Sequence, residues 1–159
     1  MNRPRLRQRW DALPVWARWV AATYAFAFAQ GTCAHLIDLA RGGVHAYAAF
    51  PQVPLQVFFI SLVVLDPLTV FLVIRLHRAG PWLACGVMLA DATANWIGNW
   101  QWATADPASL LRPVGLLPIT LFTLYVLVTC IPLHRAFDVP RKAAGNRRDG
   151  REGALVRYH

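Results

Sequence analysis

Two aspartates within long apolar runs are the residues of this sequence best suited to chemistry. Asp66 interrupts a run rich in Leu, Ile, Val and Phe, and Asp91 interrupts a later run rich in Ala and Gly. When two carboxyl groups lie close together away from water, they do not easily both ionise, so one of them should keep its proton at neutral pH. Such a pair can donate and remove protons, and we therefore predict Asp66 and Asp91 as catalytic residues. The structural alternative for Asp66 is a role at the helix kink that Pro67 would cause.

Other polar side chains extend the predicted site along the same helices. Asp91, Asn95 and Asn99 recur every fourth residue and therefore share one helix face. A histidine and an aspartate lie three residues apart near the end of an earlier apolar run, and two tryptophan faces would steady a cation-like ligand or intermediate. The predicted ligand-binding residues are His35, Asp38, Asn95, Trp96, Asn99 and Trp100. Their structural alternative is interfacial or interhelical hydrogen bonding.

The sequence predicts neither a cofactor nor a metal site. Four residues would suit a divalent ion chemically, but they supply one imidazole and differ in predicted depth: His35, Asp38, Asp66 and Asp91. The cysteines fall one each in three apolar segments without a C-x-x-C pair: Cys33, Cys85 and Cys130. We interpret them as small packing residues, which argues against a thiol redox enzyme.

Hydropathy predicts the elements that position these residues. With 57% hydrophobic and 15% charged residues, a chain of 159 residues is too apolar for a soluble domain of its size and has room for one domain. A helix needs about 20 apolar residues to cross a bilayer. Four stretches meet or nearly meet this length: 15–38, 55–74, 82–100 and 113–133. We therefore predict an all-α integral membrane protein, a bundle of four transmembrane helices over residues 15–133.

The stretch 82–100 is the least secure of the four. The stretch 55–74 carries fifteen Leu, Ile, Val or Phe residues, each favourable by roughly 0.3 to 0.6 kcal/mol at the membrane centre, against about 3 kcal/mol for Asp66. The stretch 82–100 has only four residues of that set and also carries Asp91. It should therefore sit within the bundle, where a ridge of small residues at every fourth position from Gly86 to Gly98 would let a neighbouring backbone approach.

The positive charges predict the orientation of these helices. Of the sixteen Lys and Arg residues, all but Arg41 and Arg112 fall on the side of the two termini and of the turn at 75–80. Cytoplasmic loops carry such an excess, so we predict a multi-pass protein with both termini in the cytoplasm. The N-terminal segment 1–14 is basic. The basic tail 134–159 has few apolar residues and is predicted to be disordered.

Short motifs of the sequence resemble the EXPERA family, four-helix membrane proteins that include emopamil-binding sterol isomerases and the sigma-2 receptor. The segment Leu36-Ile37-Asp38-Leu39 is similar to the end of the family's first helix, where an acid stands within an apolar run. The segment from Ser61 to Pro67 is similar to a segment of the second helix that carries a glutamate before a proline. Asp91 resembles a polar position of the third helix, and Pro118 a proline near the start of the fourth. Ser61 stands where the glutamate aligns and Asp66 follows five residues later, so the family's acid position is open between them.

The resemblance implies a lipid-like ligand held in an apolar intramembrane cavity by one or two acids. In the isomerases of the family it further implies a double bond moved by protonation and deprotonation. For this chain, the first hypothesis is accordingly the binding of a sterol-like or isoprenoid ligand, with isomerase or cyclase chemistry by the paired carboxyls.

Two other functions stay open at the level of sequence. One is a small transporter or proton-coupled membrane subunit in which the same acids relay protons. The other is a membrane scaffold or accessory subunit without chemistry. The expected partners are membrane lipids and a hydrophobic small molecule, with a homo-oligomer as an open alternative. Nucleic acid is not expected, because the basic residues lie in tails and short loops between apolar runs.

Overall fold

Nearly all of the described chain is helical. The computed structural model describes residues 6–111 and 115–155, with the side chains at 109, 111 and 139–155 left out. Within these residues, the α-helices are α1 (Leu6–Asp11), α2 (Val15–Gly42), α3 (Val53–Ile74), α4 (Ala79–Ala105) and α5 (Leu116–Leu155), and short 3₁₀ turns occupy Gly43–His45 and Pro107–Leu111. The predicted start of the last span at Pro113 and the charges of Arg3, Arg5 and Arg112 lie outside the described residues.

Three described helical segments are long and apolar enough to cross a membrane. By length and composition they are Val15–His45, Val53–Ile74 and Leu116–Asp138. A helix satisfies its backbone hydrogen bonds internally, which is what an apolar run needs in a hydrocarbon layer. The predicted all-α class is confirmed, and these segments support a membrane protein.

Proline and glycine set the helix ends next to the site. Pro14 precedes α2 in an extended conformation, and Gly43 follows it with a positive φ of 57°. α3 has Pro54 in its first turn, where a missing N–H breaks no helical hydrogen bond. At its other end, Leu76 takes a positive φ of 51° in the tight turn to α4. Its N–H donates to the Val73 carbonyl at 2.9 Å, which closes that turn.

The four long helices pack side by side in a ring. α3 lies between α2 and α4, and α5 packs against α4 and α2. Polar groups in the core are hydrogen-bonded between helices. The buried Tyr24 hydroxyl lies 2.9 Å from the Val126 carbonyl and 2.8 Å from the Thr129 hydroxyl, and the buried Thr123 hydroxyl lies 3.3 Å from the Met88 carbonyl. Such contacts are typical of helices that pack within a membrane.

The N-terminal helix α1 closes one end of this ring. The Arg9 guanidinium donates to the carbonyls of Arg75 and Leu76 at 3.1 and 2.9 Å, and the Trp10 indole donates to the Ile74 carbonyl at 3.0 Å. The Ile74 carbonyl ends α3, and those of Arg75 and Leu76 lie in the turn that follows, where a cation is favourable beside the C-terminal end of the helix. We call this end, with α1 and the α3–α4 turn, the basic end. The opposite end, where residues 43–52 join α2 to α3, is the connection end.

The last helix begins inside the bundle and leaves it. Ala136 and Phe137 are buried, and Asp138 pairs with Arg78 at 2.7 Å. Residues 134–138, which the sequence assigns to the tail, thus continue α5, and the boundary of the tail stays a prediction. Beyond this point the backbone continues as helix to Leu155, and the disorder of this charged end in solution stays a prediction.

The predicted ridge of small residues on α4 packs over only part of its length. Ala94 is buried, and a Cβ at Gly98 would collide with the Phe50 ring. In contrast, a Cβ at Gly86 would meet nothing within 4 Å, and Ala90 is exposed. The prediction is thus wrong for the half of the ridge nearer the basic end, where Ala84, Val87 and Met88 form the buried face instead.

Candidate functional site

Asp66 is a buried carboxyl near the middle of α3. Its residue is 5% exposed, and its Oδ2 lies 4.0 Å from Nε2 of His35 on α2. The two helices approach closely at this point because α2 carries a glycine there. A Cβ added to Gly31 would lie 2.6 Å from Asp66 Oδ2, nearer than atoms can pack. The absence of a side chain at Gly31 therefore makes room for the Asp66 carboxyl.

A tyrosine from the α2–α3 connection holds the other side of the histidine. The Tyr47 hydroxyl lies 2.7 Å from His35 Nδ1 and donates to Asp38 Oδ2 at 3.2 Å. Tyr47 is buried, whereas Asp38, at the connection end of α2, is exposed. Polar side chains thus lead from the exposed Asp38 carboxylate through Tyr47 and His35 to the buried Asp66.

Aromatic rings fix the connection in this position. The Tyr47 ring lies 5.3 Å from that of Phe59 on α3, and the Phe50 ring stacks on Phe59 at 5.0 Å between centroids. The Phe50 ring also rests on Gly98 of α4, where a side chain would leave it no space. The connection therefore packs on both α3 and α4, and the Tyr47 hydroxyl is held rather than free in solvent.

Tyr47 lies within the field of three carboxylates. Burial, followed by the charge of Asp38 and the hydrogen bond to it, raises the pKa of the Tyr47 phenol, and the charges of Asp91 and Asp66 add to this effect. The phenol therefore stays protonated throughout the physiological range. Asp66 and Asp91 lie on neighbouring helices, α3 and α4.

Asp91 is half-buried on α4 and is tied to the next turn. The Asn95 amide donates both to Asp91 Oδ1 and to the Asp91 carbonyl, each at 3.0 Å. The charge of Asp91 also reaches Asp66 across the α3–α4 contact. The two contacts from Asn95 fix the direction of the Asp91 carboxylate.

Three of the predicted ligand-binding residues do not join this group. The Asn99 amide donates to the Asn95 carbonyl at 2.9 Å, which binds it to its own helix. The Trp96 indole donates to the Thr120 hydroxyl of α5 at 2.9 Å. Trp100 is 59% exposed on the outer face of α4. Because successive helical residues are turned by about 100°, Trp96 and Trp100 face away from the direction taken by Asp91 and Asn95.

Among the side chains that the structure describes, no three of His, Cys, Asp or Glu come close enough to share a metal ion. All three cysteines are free, and the Cys130 thiol donates to the Pro81 carbonyl at 3.2 Å.

Ser61, the alternative to Asp66 in the sequence comparison, donates to the Phe58 carbonyl at 2.6 Å within its own helix. Asp66 is therefore the acid of α3 that faces the histidine.

Sequence reasoning missed two residues of the site, Tyr47 and Gly31. Tyr47 lies in a connection without helical periodicity, and Gly31 lies in an apolar run where a glycine has many structural uses. A signal was nevertheless present, because a lone tyrosine follows a His-x-x-Asp pair by less than ten residues. A phenol that close to two ionisable groups is a natural hydrogen-bond partner.

Comparison with known proteins gives no further constraint on this site: no family model, no curated protein and no solved structure matches the chain. The chemistry of the arrangement is itself informative. A carboxyl and an imidazole that face one another out of water can exchange a proton, and a second carboxylate on the neighbouring helix can accept one.

Proposed function

We propose that the protein binds a hydrophobic, lipid-like ligand within a four-pass membrane bundle and acts on it by acid and base chemistry. The observation that carries the proposal is Asp66, a buried carboxyl near the middle of an apolar helix, with an imidazole 4.0 Å away. A carboxyl at membrane depth is costly to insert and is functional by default. A kink at Pro67 alone would need no histidine from another helix.

Within this proposal α4 is the fourth span, although it is less apolar than the other three. Its exposed face begins at Trp82 and ends at Trp100, which are 51% and 59% exposed. At 1.5 Å per residue these tryptophans are about 27 Å apart, close to the thickness of roughly 30 Å of a hydrocarbon core, and tryptophan prefers the two interfaces. The polar residues Asp91 and Asn95 are half-buried instead of lying on this face.

The orientation is proposed from charge. The basic end carries Arg9, Arg75 and Arg78, and the connection end carries Arg41. The excess of positive charge favours the cytoplasm for the basic end, and therefore for both termini of a four-pass chain. The exposed Asp38 would then face the opposite side of the membrane.

These groups suit a reaction in which the ligand gains a proton at one carbon and loses a proton at another. Asp66 adds a proton to one end of a double bond, and a carboxylate such as Asp91 removes a proton from the carbon next to its other end. Atoms and electrons balance without an oxidant, and the product is the shifted double bond. The resemblance to the EXPERA family supports sterol-like or isoprenoid lipids as the first ligands to test.

The test uses the full chain purified into lipid nanodiscs. Isoprenoid and sterol-like lipids are assayed for binding and for conversion by mass spectrometry. We expect Asp66→Asn and Asp91→Ala to lower turnover by about a hundredfold or more, the usual effect of losing an acid or base. Thr93→Ala, on the exposed face of the same helix as Asp91, is the matched control and should behave as wild type. Wild-type behaviour of Asp91→Ala would count decisively against this function.

A proton-coupled transporter is the second candidate, favoured by one observation. The polar side chains from exposed Asp38 to buried Asp66 form a route for protons from one surface towards mid-membrane. Proton uptake into liposomes that contain the protein tests it. Flux that is absent, or that Asp66→Asn leaves unchanged, would eliminate transport and leave the ligand site.

A further inference from the structure

The hydrogen bonds around Tyr47 restrict which nitrogen of His35 carries a proton. A phenol has a single hydrogen, and Tyr47 donates it to the Asp38 carboxylate at 3.2 Å. The oxygen of Tyr47 also lies 2.7 Å from His35 Nδ1, so this second contact has to be donated by the histidine. His35 Nδ1 therefore carries a hydrogen.

The other nitrogen of His35 is then the one that faces the buried acid. A neutral imidazole has one N–H, so an Nδ1–H histidine presents a bare lone pair at Nε2. Nε2 lies 4.0 Å from Asp66 Oδ2. A lone pair and an ionised carboxylate repel each other, so a proton held between the two groups stabilises the arrangement. It belongs either to a neutral Asp66 carboxyl or to a positively charged His35.

We infer that Tyr47, through its hydrogen bond to Asp38, is a positioning residue that fixes His35 as the Nδ1–H tautomer and leaves one shared proton between Nε2 and the Asp66 carboxyl. The tautomer of His35 does not depend on the proposed function. Only the role of the shared proton in catalysis rests on that function, with Tyr47 as the residue that positions His35 beside the acid. At 4.0 Å, transfer of this proton needs an approach of about 1 Å or one bridging water.

The groups that act on His35 come from every neighbouring segment. Asp38 lies on its own helix, Tyr47 in the connection, Asp66 on α3, and the charge of Asp91 on α4 reaches the Tyr47 hydroxyl. With the opposite tautomer, Tyr47 would donate its hydrogen to Nδ1, and its oxygen would face the Asp38 carboxylate at 3.2 Å with no hydrogen between them. Removal of the Asp38 carboxylate should therefore free the Tyr47 hydrogen to turn towards Nδ1, and the tautomer should invert.

Nitrogen-15 NMR of the full chain in lipid nanodiscs tests this inference. The His35 signals are identified by their loss in His35→Gln. In the wild type we expect a protonated Nδ1, and in Tyr47→Phe a shift of about fivefold towards the Nε2–H form, the factor that one ordinary hydrogen bond is worth. Asp38→Ala should shift the balance in the same direction. An Nε2–H histidine in the wild type, or a tautomer ratio that neither substitution changes, would overturn the inference.

Two controls keep the result specific. Tyr47→Phe keeps the ring that packs on Phe59, and Asp38 is exposed, so Asp38→Ala remains a test if the first variant folds poorly. Tyr24→Phe removes a buried hydroxyl about three turns away along α2 and should leave the His35 tautomer unchanged. The infrared C=O band of a protonated carboxyl, assigned by Asp66→Asn, should weaken or shift in Tyr47→Phe but not in Tyr24→Phe.

This experiment also separates the inference from the function on which it rests. No ligand is needed to record the tautomer. An Nδ1–H histidine in a protein that binds no lipid would disprove the proposed function alone, whereas lipid turnover with an Nε2–H histidine would disprove the inference alone.

Discussion

A methyl group added at Gly31 should disturb the buried acid more than its size suggests. In Gly31→Ala the new Cβ would lie 2.6 Å from Asp66 Oδ2 and 3.5 Å from its Cγ. Because carbon and oxygen pack at about 3.5 Å, the carboxyl has to move by almost 1 Å or the two helices have to separate. Either movement changes the distance from Asp66 to His35.

The magnitude follows from a matched pair of glycines. Alanine gains roughly 0.5 to 1 kcal/mol over glycine within a helix, and this gain applies equally to Gly31→Ala and to Gly86→Ala. A Cβ at Gly86 would meet nothing within 4 Å, so that variant keeps the gain. Overpacking costs about 1 to 3 kcal/mol, and this is the amount by which Gly31→Ala should be less stable than Gly86→Ala.

The assay is reversible unfolding in mixed micelles, with each substitution also placed in an Asp66→Ala background. The penalty of Gly31→Ala should largely disappear there, because the carboxyl that it displaces is absent. Equal stability of Gly31→Ala and Gly86→Ala, or an undiminished penalty in the Asp66→Ala background, would refute the close approach of Asp66 to α2.

Three further outcomes are expected. Arg9→Gln should lower the free energy of unfolding by about 1 kcal/mol, since it weakens two charge-assisted hydrogen bonds to the Arg75 and Leu76 carbonyls just after α3. Arg9→Lys should recover part of the loss in the same unfolding assay. Tyr24→Phe should cost about 0.5 to 1.5 kcal/mol by removing the hydroxyl that contacts Val126 and Thr129, whereas a value near zero would show that this contact is not formed. Burial, and then the neighbouring carboxylates, raise the pKa of Tyr47, so the folded protein holds this proton more tightly than the unfolded chain does. The free energy of unfolding should therefore fall above about pH 10, and it should fall less in Tyr47→Phe.

The helices could be predicted from the sequence because their signal is local. The stretch 55–74 differs from the observed α3, Val53–Ile74, only at its start, and the apolar residues alone account for it. α4 is harder to predict as a membrane span, because it has few large apolar residues and its hydropathy alone does not qualify it as one. It runs on past the predicted end at Trp100 to Ala105, because the following residues still favour helix.

The contacts of the site could be predicted only in part, because they depend on rotation and on a connection. The spacing of Asp91 and Asn95 predicts their common face, and the Asn95 amide does contact Asp91. Trp96 is turned by about 100° from Asn95, and it contacts Thr120 of α5 instead. Tyr47 reaches His35 only because Phe50 and Phe59 fold the connection back over α3, which no periodic pattern indicates.

The proposed function requires that the Asp66 carboxyl is reached from the lipid phase and not from water. Labelling with a lipid-soluble and a water-soluble carbodiimide, mapped by mass spectrometry in nanodiscs, measures this directly. We expect Asp66 to be labelled by the lipid-soluble reagent alone, and the exposed Asp38 by the water-soluble one. Labelling of Asp66 by the water-soluble reagent as fast as that of Asp38 would contradict it.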